Sequence, residues 1–243
     1  MNRARQRALV LSSLAVIGAA ALAFAAAQRE PRPIGPRPPS ARPTLLLLTS
    51  LPLVFGEDFS LEGGGSPALN ALEARYRVVP ISVTDRANLA KGGLLLMAHP
   101  LAQTAENLVA LDQWVRRGGR VMILADPMLE WPSKRPLGDP LRPPPMFADT
   151  GLLAHWGLRL DAPEARGPRP AKLDGYDVVT ASPGALFGGG CRISGDRLVA
   201  HCRIGKGNAT IIADADLLDP GDLGKGAEHN LDAILSELSA LER

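Results

Sequence analysis

The sequence predicts an α/β protein built as a three-layer, doubly wound, mostly parallel sheet, with C-terminal β-hairpins and an N-terminal membrane helix. Three observations carry that prediction. Short runs with continuous apolar stretches, TLLLLT (44–49), LLLMAH (94–99) and RVMILAD (120–126), suit strands buried on both faces. Stretches with helical spacing separate them, which is the β-α-β order of a parallel sheet. After residue 190 the pattern changes to short runs punctuated by Gly-containing turns, the signature of hairpins.

The elements follow in order. Residues 1–7 form a basic segment with Arg3, Arg5 and Arg7, and residues 8–27 (ALVLSSLAVIGAAALAFAAA) carry no charge. A helix of that length spans the roughly 30 Å hydrocarbon core. Ala25 and Ala27 also offer a signal-peptidase pattern before Gln28, so the segment reads as a transmembrane anchor or as a cleaved signal. Arg residues flank the run on both sides, so charge alone does not orient it. The body is expected on the extracytoplasmic side of the inner (cytoplasmic) membrane, held by a single pass; the alternative is a secreted or periplasmic body after cleavage near Ala27. Residues 28–43 (QREPRPIGPRPPSARP) hold six prolines and read as an extended stalk.

Residues 44–243 then form the single α/β domain. After the first strand, Gly63-Gly64-Gly65-Ser66-Pro67 opens a helix, with Ser66 as N-cap and Pro67 at the first helical position. YRVVPIS (76–82) is the second strand and LLLMAH the third. Leu108, Leu111, Trp114 and Val115 recur at helical spacing within 104–117, and Gly118-Gly119 stops that helix before the fourth strand. Residues 127–148 hold seven prolines and no period, a loop long enough to suggest function. A short helix near 150–156 follows. Hairpin strands are expected at 191–194, 198–204 and 209–214, and a C-terminal helix over 230–241.

Charge excludes one class of function. Seven of the 27 Lys and Arg, but one of the 25 Asp and Glu, precede Thr44, so the body is net acidic by about four charges. An acidic body poor in aromatic residues is not a nucleic-acid binder.

The candidate residues gather at strand ends. Asp126 and Asp214 each end a buried strand, with Asp216 close behind, and ligands of open α/β sheets sit at that edge. Glu130, Trp131, Lys134 and Arg135 of the Pro-rich loop would rim the same place. The competing reading is that the aspartates accept backbone N–H bonds and cap the following turns. His99 ends a strand and could serve as a base, but the sequence has no G-x-S-x-G elbow to partner it. The Gly63–Ser66 loop lacks the phosphate-loop spacing and its lysine. Cys191 and Cys202 flank one hairpin, opposite or diagonal according to the turn register, and are candidates for a disulfide in an exported protein. No metal site and no cofactor is expected.

Three stretches together carry a resemblance: LLLMAHPLAQTAENLVALDQWVRRGGRVMILADP (94–127), FADTGLLAHWGLRLD (147–161), and GKGNATIIADADLLD with HNLDAILSEL (205–219, 229–238). In this order they resemble the auxiliary domain of uncharacterised ABC-type transport systems, the type found in gliding-motility transporters, which is similar to the class I glutamine amidotransferase fold, with a flavodoxin-like order of elements. The resemblance implies a membrane-tethered domain working beside an ABC permease and ATPase. Amidotransferases place a cysteine nucleophile after a central strand; the matching positions here hold Asp126-Pro127 or His99-Pro100. The resemblance therefore implies a non-catalytic accessory domain that binds a partner or ligand at the strand C-terminal edge. Two alternatives stand beside it: an envelope hydrolase using Asp126, His99 and Asp214, and a purely structural envelope protein with no pocket under the Pro-rich loop.

Overall fold

The computed structural model describes residues 33–56 and 65–243. The stretch 1–7, the expected anchor or signal at 8–27 and residues 28–32 of the stalk lie outside the described residues. No helix among the described residues is long and apolar enough to cross a membrane.

The chain enters at β1 (Thr44–Thr49), whose four leucines are buried. Helix α1 (Pro67–Glu73) starts where the Ser66 hydroxyl accepts from the Leu69 N–H at 3.1 Å, with proline at the first helical position. After β2 (Arg77–Pro80), Asp85 caps the single turn α2 (Arg86–Leu89), and Thr104 caps α3 (Ala105–Arg116). Strand β3 (Leu94–Ala98) lies between them and β4 (Arg120–Leu124) follows α3; both consist almost wholly of buried residues. A loop without helix or strand runs from β4 to the short α4 (Leu152–His155).

Four short strands come next: β5 (Leu158–Asp161), β6 (Pro168–Leu173), β7 (Tyr176–Ala181) and β8 (Ala185–Gly188). Then follow β9 (Cys191–Ile193), β10 (Val199–Ile204), β11 (Gly207–Ile212), the turn α5 (Pro220–Leu223) and α6 (Asn230–Leu241). The central sheet has the order β2-β1-β3-β4-β11-β10-β9. Its first five strands are parallel, and β10 and β9 extend it antiparallel. From the centre, β1 connects to β2 in one direction and β3 to β4 in the other. Right-handed crossovers therefore place α1 and α3 on opposite faces, and the packing agrees, with α1 against α6 and α2 against α3. Both faces of the parallel strands are covered, which is why their sequences are continuously apolar rather than alternating.

Close packing at the α3–β11 corner rests on one glycine. A Cβ on Gly207 would lie 2.1 Å from the Gly119 carbonyl and 2.2 Å from that of Val115, so no side chain fits there. Two small antiparallel sheets, β5–β8 and β6–β7, were not foreseen. Strand β6 carries Pro168 and Pro170, which supply no N–H and survive only because β6 is an edge.

The end of the Pro/Arg-rich segment also differs from a free spacer. Arg37 pairs with Glu242 at 2.8 Å, its N–H donates to Ala74, and Arg75 donates to the Gly35 carbonyl. Tyr76 donates its hydroxyl to the same Glu242 carboxylate at 2.5 Å. Residues 34–43 are thus tied to the body beside the N-terminal ends of β1 and β2, because Glu242 collects the cationic side chain of Arg37 and the phenol of Tyr76.

Candidate functional site at the strand C-terminal edge

Strands β4 and β11 are neighbours, so the acids that follow them meet. Oxygens of Asp126, Asp214 and Asp216 lie within 4.8 Å of one another, and Asp126 and Asp214 are wholly buried. Each has structural partners. Asp126 accepts from the N–H groups of Met128 (2.8 Å) and Ala215 (2.9 Å), Asp214 from Ala181 (2.8 Å) and Leu217 (3.1 Å), and Asp216 from Glu130 (3.0 Å). Together they tie the starts of three connections to one another.

Burial outweighs these hydrogen bonds in setting the charge. Desolvation pushes the Asp126 carboxyl up to about 6 and that of Asp216 up to about 8, each also raised by neighbouring carboxylate charge. Burial and the charges of Asp126 and Asp216 hold Asp214 well above the usual carboxylate range. Three carboxylates this close cannot all ionise, so the knot retains protons at neutral pH. As a cation site the trio would offer hard oxygen donors of the kind Mg²⁺ and Ca²⁺ take. Both oxygens of Asp126 and both of Asp214 already accept backbone N–H bonds, however, and this favours the capping role.

The Pro-rich loop is held over this edge at several points. The buried ring of His99 donates from Nε2 to the Pro144 carbonyl at 2.8 Å, since a carbonyl can only accept. Its Nδ1 is then a buried acceptor with no partner among the described residues, and burial lowers the imidazole's affinity for a proton. The N–H of Phe147 donates to the Asp126 carbonyl at 2.6 Å, and that of Leu129 to Pro145 at 3.0 Å. Buried Ser182, with a positive φ of 48°, donates its hydroxyl to Glu130 and accepts from Gly167. His99 therefore fastens the loop, while Asp126, Asp214, Asp216 and Glu130 form a cluster beside it. Trp131 is half-buried and packs on the core, Lys134 is exposed, and Arg135 pairs with Asp139 at 3.6 Å.

The pinned loop carries apolar side chains on its outside. Leu137 is 79% exposed and Leu141 58%, and Phe55 after β1 is 64% exposed. A pocket of about 390 Å³ opens here, lined by Thr49, Phe55, Ile81, Arg135 and Leu141 among others. Sequence reasoning fixed on the polar residues of the loop and missed these leucines; a leucine amid prolines, with no strand or helix period to bury it, was the available signal. Far from this edge, Cys191 and Cys202 stand directly opposite across β9 and β10, Cα atoms 4.4 Å apart, and are joined as a disulfide.

Fold and edge together define a doubly wound α/β module whose strand C-termini are closed by a fastened loop. Residues 42–167, just over half of the chain, match the family described as ABC-type uncharacterized transport system, and the chain belongs to that family. Among solved structures it is similar to the cytoplasmic protein STM3548 from Salmonella typhimurium, with 8% identity, 82% of this chain and 98% of that one covered, and a TM-score of 0.50. That likeness is one of fold. It also resembles the exo-β-1,4-mannosidase Op5Man5 from Opitutaceae bacterium strain TAV5 (15% identity, 83% and 36% covered, TM-score 0.47). A third is a β-galactosidase from Rahnella sp. R3 (15% identity, 83% and 32% covered, TM-score 0.43). The chain spans about a third of the length of these glycosidases. No curated protein matches the sequence.

Proposed function

We propose that the domain is a non-catalytic accessory module that docks the permease of its ABC-type transport assembly at the strand C-terminal edge. The observation that carries this reading is the trio Phe55, Leu137 and Leu141, large apolar side chains exposed around a loop that is fastened rather than loose. Exposed apolar groups on a pre-ordered surface lower the ordering cost of association. The acids beside them serve as caps, which leaves the loop's outer surface as the recognition element. In this reading the amidotransferase-like order of elements is kept while Asp126 or His99 stands where a nucleophile would be.

Residues 8–27 act as a single-pass anchor with the body on the extracytoplasmic side; the alternative is release after Ala27. Residues 34–43 join the body at the N-terminal ends of the strands. The docking edge lies at the far ends of the strands, roughly 15 Å or more from residues 34–43 along five-residue strands. The test is recovery of companions by a tagged full chain from its native membranes in mild detergent. Wild type is expected to recover the transport subunits, and Leu137→Asp with Leu141→Asp to lose them while remaining folded. Equal recovery by both would refute the docking edge.

A further inference from the structure

A second cleft, of about 730 Å³, lies at the other end of the sheet, between β9–β10–β11 and α6. That volume is typical of small-molecule sites. Its floor is a polar row. Arg192 pairs in register with His201, and His201 with Thr210, so all three side chains share one face of the sheet. Arg203, two residues along β10, points to the same face, and Lys172 stands at the lip. Behind the row, Glu237 of α6, 5% exposed, meets His201 Nε2 at 2.9 Å.

Two features of this arrangement exceed what packing requires. Burying a carboxylate against a half-exposed imidazole gains little stability over an apolar pair of the same size, because desolvation offsets the attraction. It does fix the ring's orientation, as carboxylate–histidine pairs do at binding sites. In addition, the Arg192 guanidinium has no ion pair or hydrogen bond among the described residues, whereas Lys172 is neutralised by Asp177 at 2.6 Å. The Nε of Arg203 donates to Gly205, which holds that guanidinium at the cleft.

We propose that this cleft binds a compact anion, the carboxylate or phosphate group of a small polar molecule, between Arg192, His201 and Arg203. A guanidinium with free N–H donors matches such a group's oxygens, and the His201 ring, held through Nε2 by Glu237, adds an Nδ1–H donor when it is protonated. The site is separate from the docking edge, and its test does not depend on that edge.

The experiment is calorimetric titration of the full chain in mild detergent with inorganic phosphate, citrate and, as a neutral probe, galactose. Saturable binding of phosphate or citrate is expected, and whichever binds more tightly assigns the group. Arg192→Ala, an exposed position that leaves the core intact, should weaken that binding roughly tenfold or more, since charge-assisted hydrogen bonds are lost. Glu237→Ala should weaken it as well and Glu237→Gln restore it, whereas thermal unfolding of Arg192→Ala should match wild type. Absence of saturable binding to either anion, equal affinity in Arg192→Ala, or tighter binding of galactose than of both anions would overturn the proposal.

Discussion

Replacing Asp216 by Asn should change how stability responds to pH in a direction opposite to that of ordinary carboxylates. In the folded chain Asp216 is raised from 3.8 to about 8, chiefly by burial and then by the charge of Asp126. Its folded value lies above its unfolded one, so its contribution is complete below about pH 4 and declines as pH rises toward 8. Through that window the native state holds about one more proton than the unfolded chain, and stability falls by about 1.4 kcal/mol per pH unit. From pH 5 to 7 this amounts to about 3 kcal/mol, a large part of a domain's net stability. Asp126, raised to about 6, adds to the decline below pH 6. Asn keeps an oxygen for the Glu130 N–H and cannot ionise. Urea unfolding followed by tryptophan fluorescence at pH 5, 6, 7 and 8 provides the assay. Wild type should lose stability across the series, and Asp216→Asn should lose about 1 kcal/mol less per unit. Parallel slopes in the two proteins would refute the burial account of the acidic knot.

Other consequences can be checked in the same way. Reduction of the Cys191–Cys202 bridge, which closes a loop with a sequence separation of 11, should cost about 2–3 kcal/mol in denaturant titration. Substituting Leu111→Ala in wholly buried α3 packing should cost about 2–5 kcal/mol, read as a lower urea midpoint with little change in slope. Gly207→Ala, which forces a methyl into two carbonyls, should destabilise by more than Ser66→Ala, where loss of the cap costs about 1 kcal/mol. Glu242→Ala removes the partner of both Arg37 and Tyr76, so limited proteolysis within 34–43 should accelerate while cutting elsewhere is unchanged.

Much of the parallel sheet was legible because burial on both faces leaves a mark in the sequence. Residues 45–48, 94–98 and 121–124 include no polar side chain, and Ser66-Pro67 and Gly118-Gly119 mark helix ends with the chemistry those ends require. Strands β5 to β8 were hidden by their composition. Strand β6 reads PRPAKL, which suggests a loop until β7 is seen to pair with it. The buried side of β7, with Tyr176, Val178 and Thr180, does alternate with exposed Asp177 and could have been read as a strand. The acids at the strand ends were visible, but their convergence depended on β11 inserting beside β4 from 88 residues further on. His201 and Glu237 were obscure for the same reason, since only tertiary packing sets helix α6 against β10.

The most direct test of the central claim is photo-crosslinking from position 141 of the full chain in its native membranes, with position 109 on exposed α3 as the control. Docking at the strand C-terminal edge predicts a crosslink from position 141 to the permease of the transport system, and none from position 109. The same product from both positions, or a transport-subunit crosslink from position 109 alone, would contradict it.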